Sequence, residues 1–241
     1  LLSAKLEYGR YDDSMSAQVQ PRLTPEQYLQ LDRQSEIRNE YYNGRMYAMS
    51  GGTYNHARIA TNLTGELYNA LMDTLCSVTS NDLRIRTAPG GLYTYPDLAA
   101  IRDEPKFADG EMDTLLNPVL VIEVISPSTE AYDRGFKAAQ YRKIASLQKY
   151  VHVSHAEPHV EVFRRLESGN WLLSEWDGLD ATCRFASVDR SIALADIYAG
   201  VVWPVEDPLA PRLTPEQYLQ LDRESKVRNE YYNGRMYPMP E

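Results

Sequence analysis

Tyr93-Thr94-Tyr95-Pro96-Asp97-Leu98-Ala99-Ala100 and Val119-Leu120-Val121-Ile122-Glu123-Val124-Ile125 decide the fold. The second stretch is a near-continuous apolar run, the pattern of a central strand buried on both faces of a sheet. The first falls in a strand predicted over residues 92–101. Each carries one acid among apolar neighbours, where an unpaired ionised carboxylate costs several kcal/mol or more. Such a group is paired, protonated or metal-bound. If the two strands are neighbours, Asp97 and Glu123 face one side together, and two hard oxygen donors suit Mg²⁺ or Mn²⁺. The bland alternative is that each acid meets an arginine or caps a strand end.

Working outward, residues 54–73 place Ile59, Leu63, Leu67, Tyr68 and Leu71 on one helical stripe. Strands are predicted over residues 75–79, 83–87, 149–154, 160–164 and 171–176, punctuated by Asn81-Asp82, Pro89-Gly90-Gly91 and Asp177-Gly178. Ser128 or Thr129 caps a helix running to about Ala145, and residues 194–198 form a short last helix. The order predicts an α/β (α+β) domain, a mixed central sheet flanked by helices.

A long repeat frames this body. Residues 21–51 return as residues 211–241 with six of 31 positions changed: Gln34 to Glu224, Glu36 to Lys226, Ile37 to Val227, Ala48 to Pro238, Ser50 to Pro240 and Gly51 to Glu241. The unit combines a capping box, Thr24-Pro25-Glu26-Gln27, with a hairpin turning at Asn43-Gly44. The Tyr41-Tyr42 pair reads as hairpin packing. The predicted organisation is an N-terminal extension at residues 1–20, a domain at 21–205 and a truncated repeat at 206–241. A helix and hairpin bury little alone. The second copy is therefore expected to compete with residues 40–47 for one site, to dock on a neighbouring protomer of a homodimer, or to be a relic whose Pro238 and Pro240 discourage strand continuation.

Composition sets bounds. Forty-three per cent hydrophobic and 24% charged residues describe a globular protein, and no run of eighteen apolar residues suggests a membrane span. The first residues lack a signal-peptide layout, and two cysteines, Cys76 and Cys183, give neither a disulfide framework nor a zinc cluster. A cytoplasmic location is the expectation. The net charge of −9 counts against a non-specific nucleic-acid binder.

With these residues in view, Pro96-Asp97 and Glu123-Val124-Ile125 resemble the two acidic motifs of the PD-(D/E)XK nuclease superfamily. Further stretches narrow the likeness: Gly91-Leu92-Tyr93-Thr94-Tyr95-Pro96-Asp97, Leu116-Asn117-Pro118-Val119, Glu123 through Thr129, and Tyr132-Asp133-Arg134-Gly135. They resemble a bacterial family of restriction endonuclease-like proteins long catalogued as a domain of unknown function, from about Leu23 to about Val202. The resemblance implies a restriction-endonuclease-like fold and metal-dependent hydrolysis of DNA, with Mg²⁺ or Mn²⁺ on Asp97 and Glu123. It also implies a further acid from the N-terminal region, here Glu40, whose repeat counterpart is Glu230. The superfamily pattern expects lysine two residues after the second acid, where this chain has Ile125. The resemblance implies a lysine from the following helix instead, here Lys137.

Asp133, Lys137 and Tyr141, spaced four apart, share a helix face. There Lys137 would stabilise negative charge or orient water, or simply pair with Asp133. His56 is a candidate proton shuttle or hydrogen-bond partner of Asp97, and Asp82 an auxiliary acid or a turn residue. His152, His155 and His159 lack metal spacing and read as bland. Arg84 and Arg86 alternate along a strand; with Arg58, Arg134, Arg142 and Lys143 they form either a phosphate-tracking surface or scattered solubilising charge. Two rival functions stand beside DNA cleavage: a nuclease fold kept only for binding nucleic acid or protein, and a glycoside hydrolase using Asp97 and Glu123.

Overall fold

The computed structural model describes residues 22–126, 129–185, 190–203, 213–232 and 234–239. The predicted extension at residues 1–20 lies outside the described residues, as do Pro127 and Ser128. The chain divides into two compact units between Val201 and Val202.

In the first unit, Thr24 and Gln27 close the capping box that starts α1 (Pro25–Arg33). The Asn43-Gly44 turn, both residues at positive φ, joins β1 (Asn39–Tyr42) to β2 (Arg45–Ala48). Helix α2 (Tyr54–Leu71) starts at Thr53 and buries Ile59, Leu63, Leu67 and Leu71 of its predicted stripe, while Tyr68 at the stripe's margin is exposed. Next come β3 (Cys76–Ser80), β4 (Arg84–Arg86), β5 (Tyr93–Thr94), β6 (Leu98–Arg102), β7 (Thr114–Leu115) and β8 (Pro118–Ile125). After β8 the chain winds through α3 (Glu130–Tyr132), a π-helical turn (Asp133–Lys137) and α4 (Ala138–Tyr141). Strands β9 (Lys149–Ser154), β10 (His159–Arg165), β11 (Trp171–Asp177), β12 (Thr182–Phe185) and β13 (Arg190–Ala193), then α5 (Leu194–Ile197), complete the unit.

Two sheets carry the architecture. The larger has the order β11-β10-β9-β8-β6-β3, with β8 and β9 parallel and its other neighbours antiparallel. The smaller has the order β2-β1-β5-β4-β7. Strand β8 is interior to its sheet, which is why Leu120, Val121, Ile122 and Glu123 are all buried. Val121 shares a core with Ala99, Ile101, Ala138, Tyr141 and Tyr150, so one face of β8 looks at α4.

The single strand predicted over residues 92–101 is two strands in two sheets. Strand β5 pairs with β1 and β4, and β6 pairs with β8 and β3. The break falls at Tyr95-Pro96-Asp97, where proline has no N–H for a ladder. The helix expected to run to about Ala145 is also shorter, ending at Tyr141 and widened into the π turn. Thr129 stands at its N-cap position without a side-chain capping bond.

In the second unit, α6 (Pro215–Glu224), β14 (Asn229–Tyr232) and β15 (Arg235–Pro238) rebuild the repeat. The capping box recurs at Thr214 and Gln217. The Tyr28 hydroxyl donates to the Asn39 carbonyl at 2.7 Å, and the Tyr218 hydroxyl to the Asn229 carbonyl at 2.6 Å. Both copies stack a helix tyrosine on a strand tyrosine, Tyr28 on Tyr41 and Tyr218 on Tyr231. Strand β15 ends at Pro238, the position at which β2 ends at Ala48.

Candidate active site

The break between β5 and β6 positions the first acid. Leu98 pairs with Ile122 in the antiparallel ladder, and Asp97 stands one residue before β6 begins, at the end of the ladder next to Glu123. The Asp97 carboxylate accepts the Val124 N–H at 2.7 Å and meets His56 Nε2 at 3.2 Å, both on Oδ2. His56 rises above its ordinary 6.5, chiefly through that hydrogen bond.

Glu123 is 4% exposed. Its Oε1 accepts from the Tyr141 hydroxyl at 2.7 Å and lies 2.9 Å from Lys137 Nζ. Burial pushes the Glu123 carboxyl up to about 8; Lys137 opposes the rise, and the Asp97 and Asp133 charges add to it. Burial would discharge Lys137, yet Glu123, Glu40 and Asp133 hold its ammonium above the ordinary value. Its nitrogen lies 3.6 Å from Glu40 and 3.7 Å from Asp133. The π turn thus brings Asp133, Lys137 and Tyr141 to one carboxylate cluster, and such turns recur at functional sites.

Glu40 comes from the other sheet. Strand β1 buries it to 7% exposure, where the hydroxyls of Thr94 and Tyr132 donate to it, the latter at 2.7 Å. Asp97, Glu123, Glu40, Lys137, His56 and Asp133 all line one cleft of about 760 Å³. Tyr141 stands behind Glu123, fully buried.

The donor set fits a hard divalent cation. Among the described residues, four carboxylates face the cleft against Arg38 and Lys137 as fixed positive charge. The Lys137 and Tyr141 contacts both fall on Glu123 Oε1, and those of His56 and Val124 both on Asp97 Oδ2. The second oxygen of each acid lies outside those bonds. Oxygen ligands of this kind are what Mg²⁺ and Mn²⁺ prefer.

Other expectations need correction. Arg84 is no phosphate-tracking residue: it is 3% exposed, 2.7 Å from Asp32, and it donates to Tyr95 and Thr114. Alternation along β4 sent it inward, because a second acid waits on α1. Arg86 is partly buried rather than displayed, its Nε without a partner. Arg134 is half-occupied by Glu130 and Glu161. Asp82 pairs with Arg38 at the surface, its side chain 87% exposed.

Sequence reasoning missed Tyr132 and Thr94 as supports of Glu40, although Tyr132 stood inside a quoted motif. His56 meets Asp97 as the sequence suggested, but the relations of His152, His155 and His159 were missed. His152 meets Glu161 at 3.1 Å, and His155 lines the cleft. His159, Glu161 and Glu175 bring three possible ligand atoms within 4.8 Å of one another. His159 Nδ1 is held by Asp177 at 2.7 Å, so the group reads as an ion-pair network along β10 and β11.

Residues 25–190 match the family described as "Putative restriction endonuclease", Uma2. The chain belongs to the Uma2 family. Two uncharacterized proteins of Synechocystis sp. (strain PCC 6803) support the membership. One, slr1290, is 34% identical over 183 residues, covering 76% of this chain and 95% of its own length. The other, sll1609, is 32% identical over 164 residues, covering 68% and 93%. Among solved structures, a putative nuclease belonging to DUF820 from Anabaena variabilis superposes with a TM-score of 0.59 at 17% identity. That match covers 73% of this chain and 98% of the other, and it places the mixed sheets and flanking helices in a nuclease-type fold. The Uma2 match supports a nuclease-like function. No helix among the described residues is long and apolar enough to cross a membrane.

Proposed function

We propose that the cleft hydrolyses phosphodiester bonds of DNA, with Mg²⁺ or Mn²⁺ held by Asp97 and Glu123, assisted by Glu40. The observation that carries this reading is the Asp97 carboxylate bonded at 2.7 Å to the N–H of Val124, the residue after Glu123, with a buried lysine 2.9 Å from Glu123. A divalent ion bound there would acidify water and offset charge on the phosphate.

The chain's own residues do the rest. Lys137, buried and charged, sits where it can donate to a phosphate oxygen or hold the attacking water. Tyr141 fixes the Glu123 carboxylate by its hydroxyl, and Thr94 and Tyr132 fix Glu40. His56, raised by Asp97, is a proton source beside the cleft and suits protonation of the leaving oxygen. Asp133 keeps Lys137 charged when Glu123 is engaged elsewhere.

A second reading has an observation of its own. Lys137 and His56 already occupy one oxygen each of Glu123 and Asp97, at 2.9 and 3.2 Å, and the whole chain carries −9. A site closed in that way serves binding without cleavage. Incubating supercoiled plasmid with the protein and Mg²⁺ or Mn²⁺ separates the two. Nicking that is lost in Asp97→Asn supports the hydrolase, and retention of DNA on a gel without nicking supports the binding module.

A further inference from the structure

The first copy of the repeat is a working part of the site. It delivers Glu40, and it is held by contacts that reach well beyond its own hairpin. Asp32 on α1 meets Arg84 at 2.7 Å and accepts from the Tyr95 hydroxyl at 2.6 Å. Arg33 meets Asp109 at 2.8 Å and Asp113 at 2.7 Å. Tyr41 pairs with Tyr93 in the sheet, and the Tyr42 ring sits 4.8 Å from Phe136. Arg84, Tyr93, Tyr95, Asp109 and Phe136 therefore form a slot for one helix-hairpin module.

The second copy keeps every residue that fills this slot. Asp222, Arg223, Glu230, Tyr231 and Tyr232 stand for Asp32, Arg33, Glu40, Tyr41 and Tyr42. All six differences between the copies fall on positions that are exposed in the first copy: Gln34, Glu36, Ile37, Ala48, Ser50 and Gly51. The local structure is rebuilt as well, down to the Asp222 side chain accepting from Asn229 as Asp32 does from Asn39. What differs is the surroundings. Leu29 is 7% exposed and Leu219 is 50%; Glu40 is buried and Glu230 exposed. Within the second unit, no described residue covers the face that fills the slot in the first copy.

We propose that this face fits the slot of a second copy of the chain, so that residues 211–241 of one molecule replace residues 21–51 of another. Glu230 then takes the place of Glu40 beside Lys137. Every slot contact is remade in the exchange, which is why swapping an identical element is a low-cost route to dimers. The tethered first copy holds the slot in dilute protein. Exchange grows with concentration and with any weakening of the first copy. That Glu230 serves the reaction rests on the function proposed above; the docking itself does not.

The test is a crosslink that reports docking without any cleavage assay. In the full chain, with Cys76→Ser and Cys183→Ala, Asp109→Cys and Arg223→Cys are joined by a short bismaleimide. The expected product is a crosslinked dimer whose yield rises with protein concentration and falls to the single-cysteine background in Asp222→Ala. Adding Asp32→Ala to weaken the first copy raises the yield at least tenfold. Crosslinking confined to the monomer, or no product above the single-cysteine controls at high concentration, overturns the proposal. So does a dimer yield that Asp222→Ala leaves unchanged.

Discussion

Lys137 Nζ lies 2.9 Å from Glu123 Oε1, with the two side chains 6% and 5% exposed. The lysine comes from a π-helical turn and the glutamate from an interior strand, so neither can retreat to water without unmaking the fold. Two cations compete for this carboxylate under the proposed function, the ammonium already in place and a divalent ion. The site's behaviour with pH follows from that competition.

In metal-free protein, stability should fall as pH rises from about 5 to about 8. Glu123 ionises near 8 in the folded chain against an ordinary 4.5. Between those values the folded state keeps a proton that the unfolded state has released, so raising the pH favours unfolding. Glu123→Gln has no such proton, and its stability should change less across the window. Denaturant titrations of both proteins in chelator, at several pH values, check this. Parallel losses in the two would remove Glu123 as the cause.

His56 is a built-in reporter of Asp97. Its imidazole is raised by the carboxylate 3.2 Å away, and Asp97→Asn should bring it back toward 6.5. Saturating Mg²⁺ should lower it too, because the ion claims the Asp97 charge. Following the ring protons by NMR through a pH titration measures both changes. A His56 that titrates identically in all three samples would place its partner elsewhere.

Removing Lys137 should separate binding from chemistry. In Lys137→Ala the acids lose a competing cation, so Mn²⁺ should bind at least as tightly as to the parent. Cleavage should nevertheless slow by roughly 10²–10³-fold, the scale for losing one preorganised charge at a transition state. Weaker Mn²⁺ binding with unchanged cleavage would reverse the assigned role.

Asp32→Ala should cost about 3–5 kcal/mol, because buried Arg84 loses its partner at 2.7 Å and keeps only the longer contact to Asp113 at 3.4 Å. Asp222→Ala, whose carboxylate is described only against Asn229, should cost far less. Thermal melts of the two variants beside the parent give the comparison. Equal losses would mean that Arg84 is held by something other than Asp32.

Much of this was legible in the residues. The buried strand around Glu123 and the stripe of α2 are patterns that the local chain imposes, and both appear as read. The four-residue spacing of Asp133, Lys137 and Tyr141 also kept them together, despite the π turn between them. What could not be read was which sheet each segment joins. Residues 92–101 read as one strand through Pro96, and only the pairing of β5 with β1 and of β6 with β8 makes that proline a crossing point between sheets. Arg84 was misread for the same reason: alternation gives two faces but not which one meets an acid from α1, 52 residues earlier. Strands β7, β12 and β13, two or four residues long, have too little sequence for a period to register.

The most direct measurement is plasmid nicking by the parent, Asp97→Asn and Glu123→Gln in Mg²⁺ and in Mn²⁺, with a melting curve for each protein. Nicking by the parent that needs the ion and drops by about 10³-fold or more in both variants, with folding intact, is the predicted result. Nicking that survives either substitution, or persists in chelator, would contradict the assignment of the cleft.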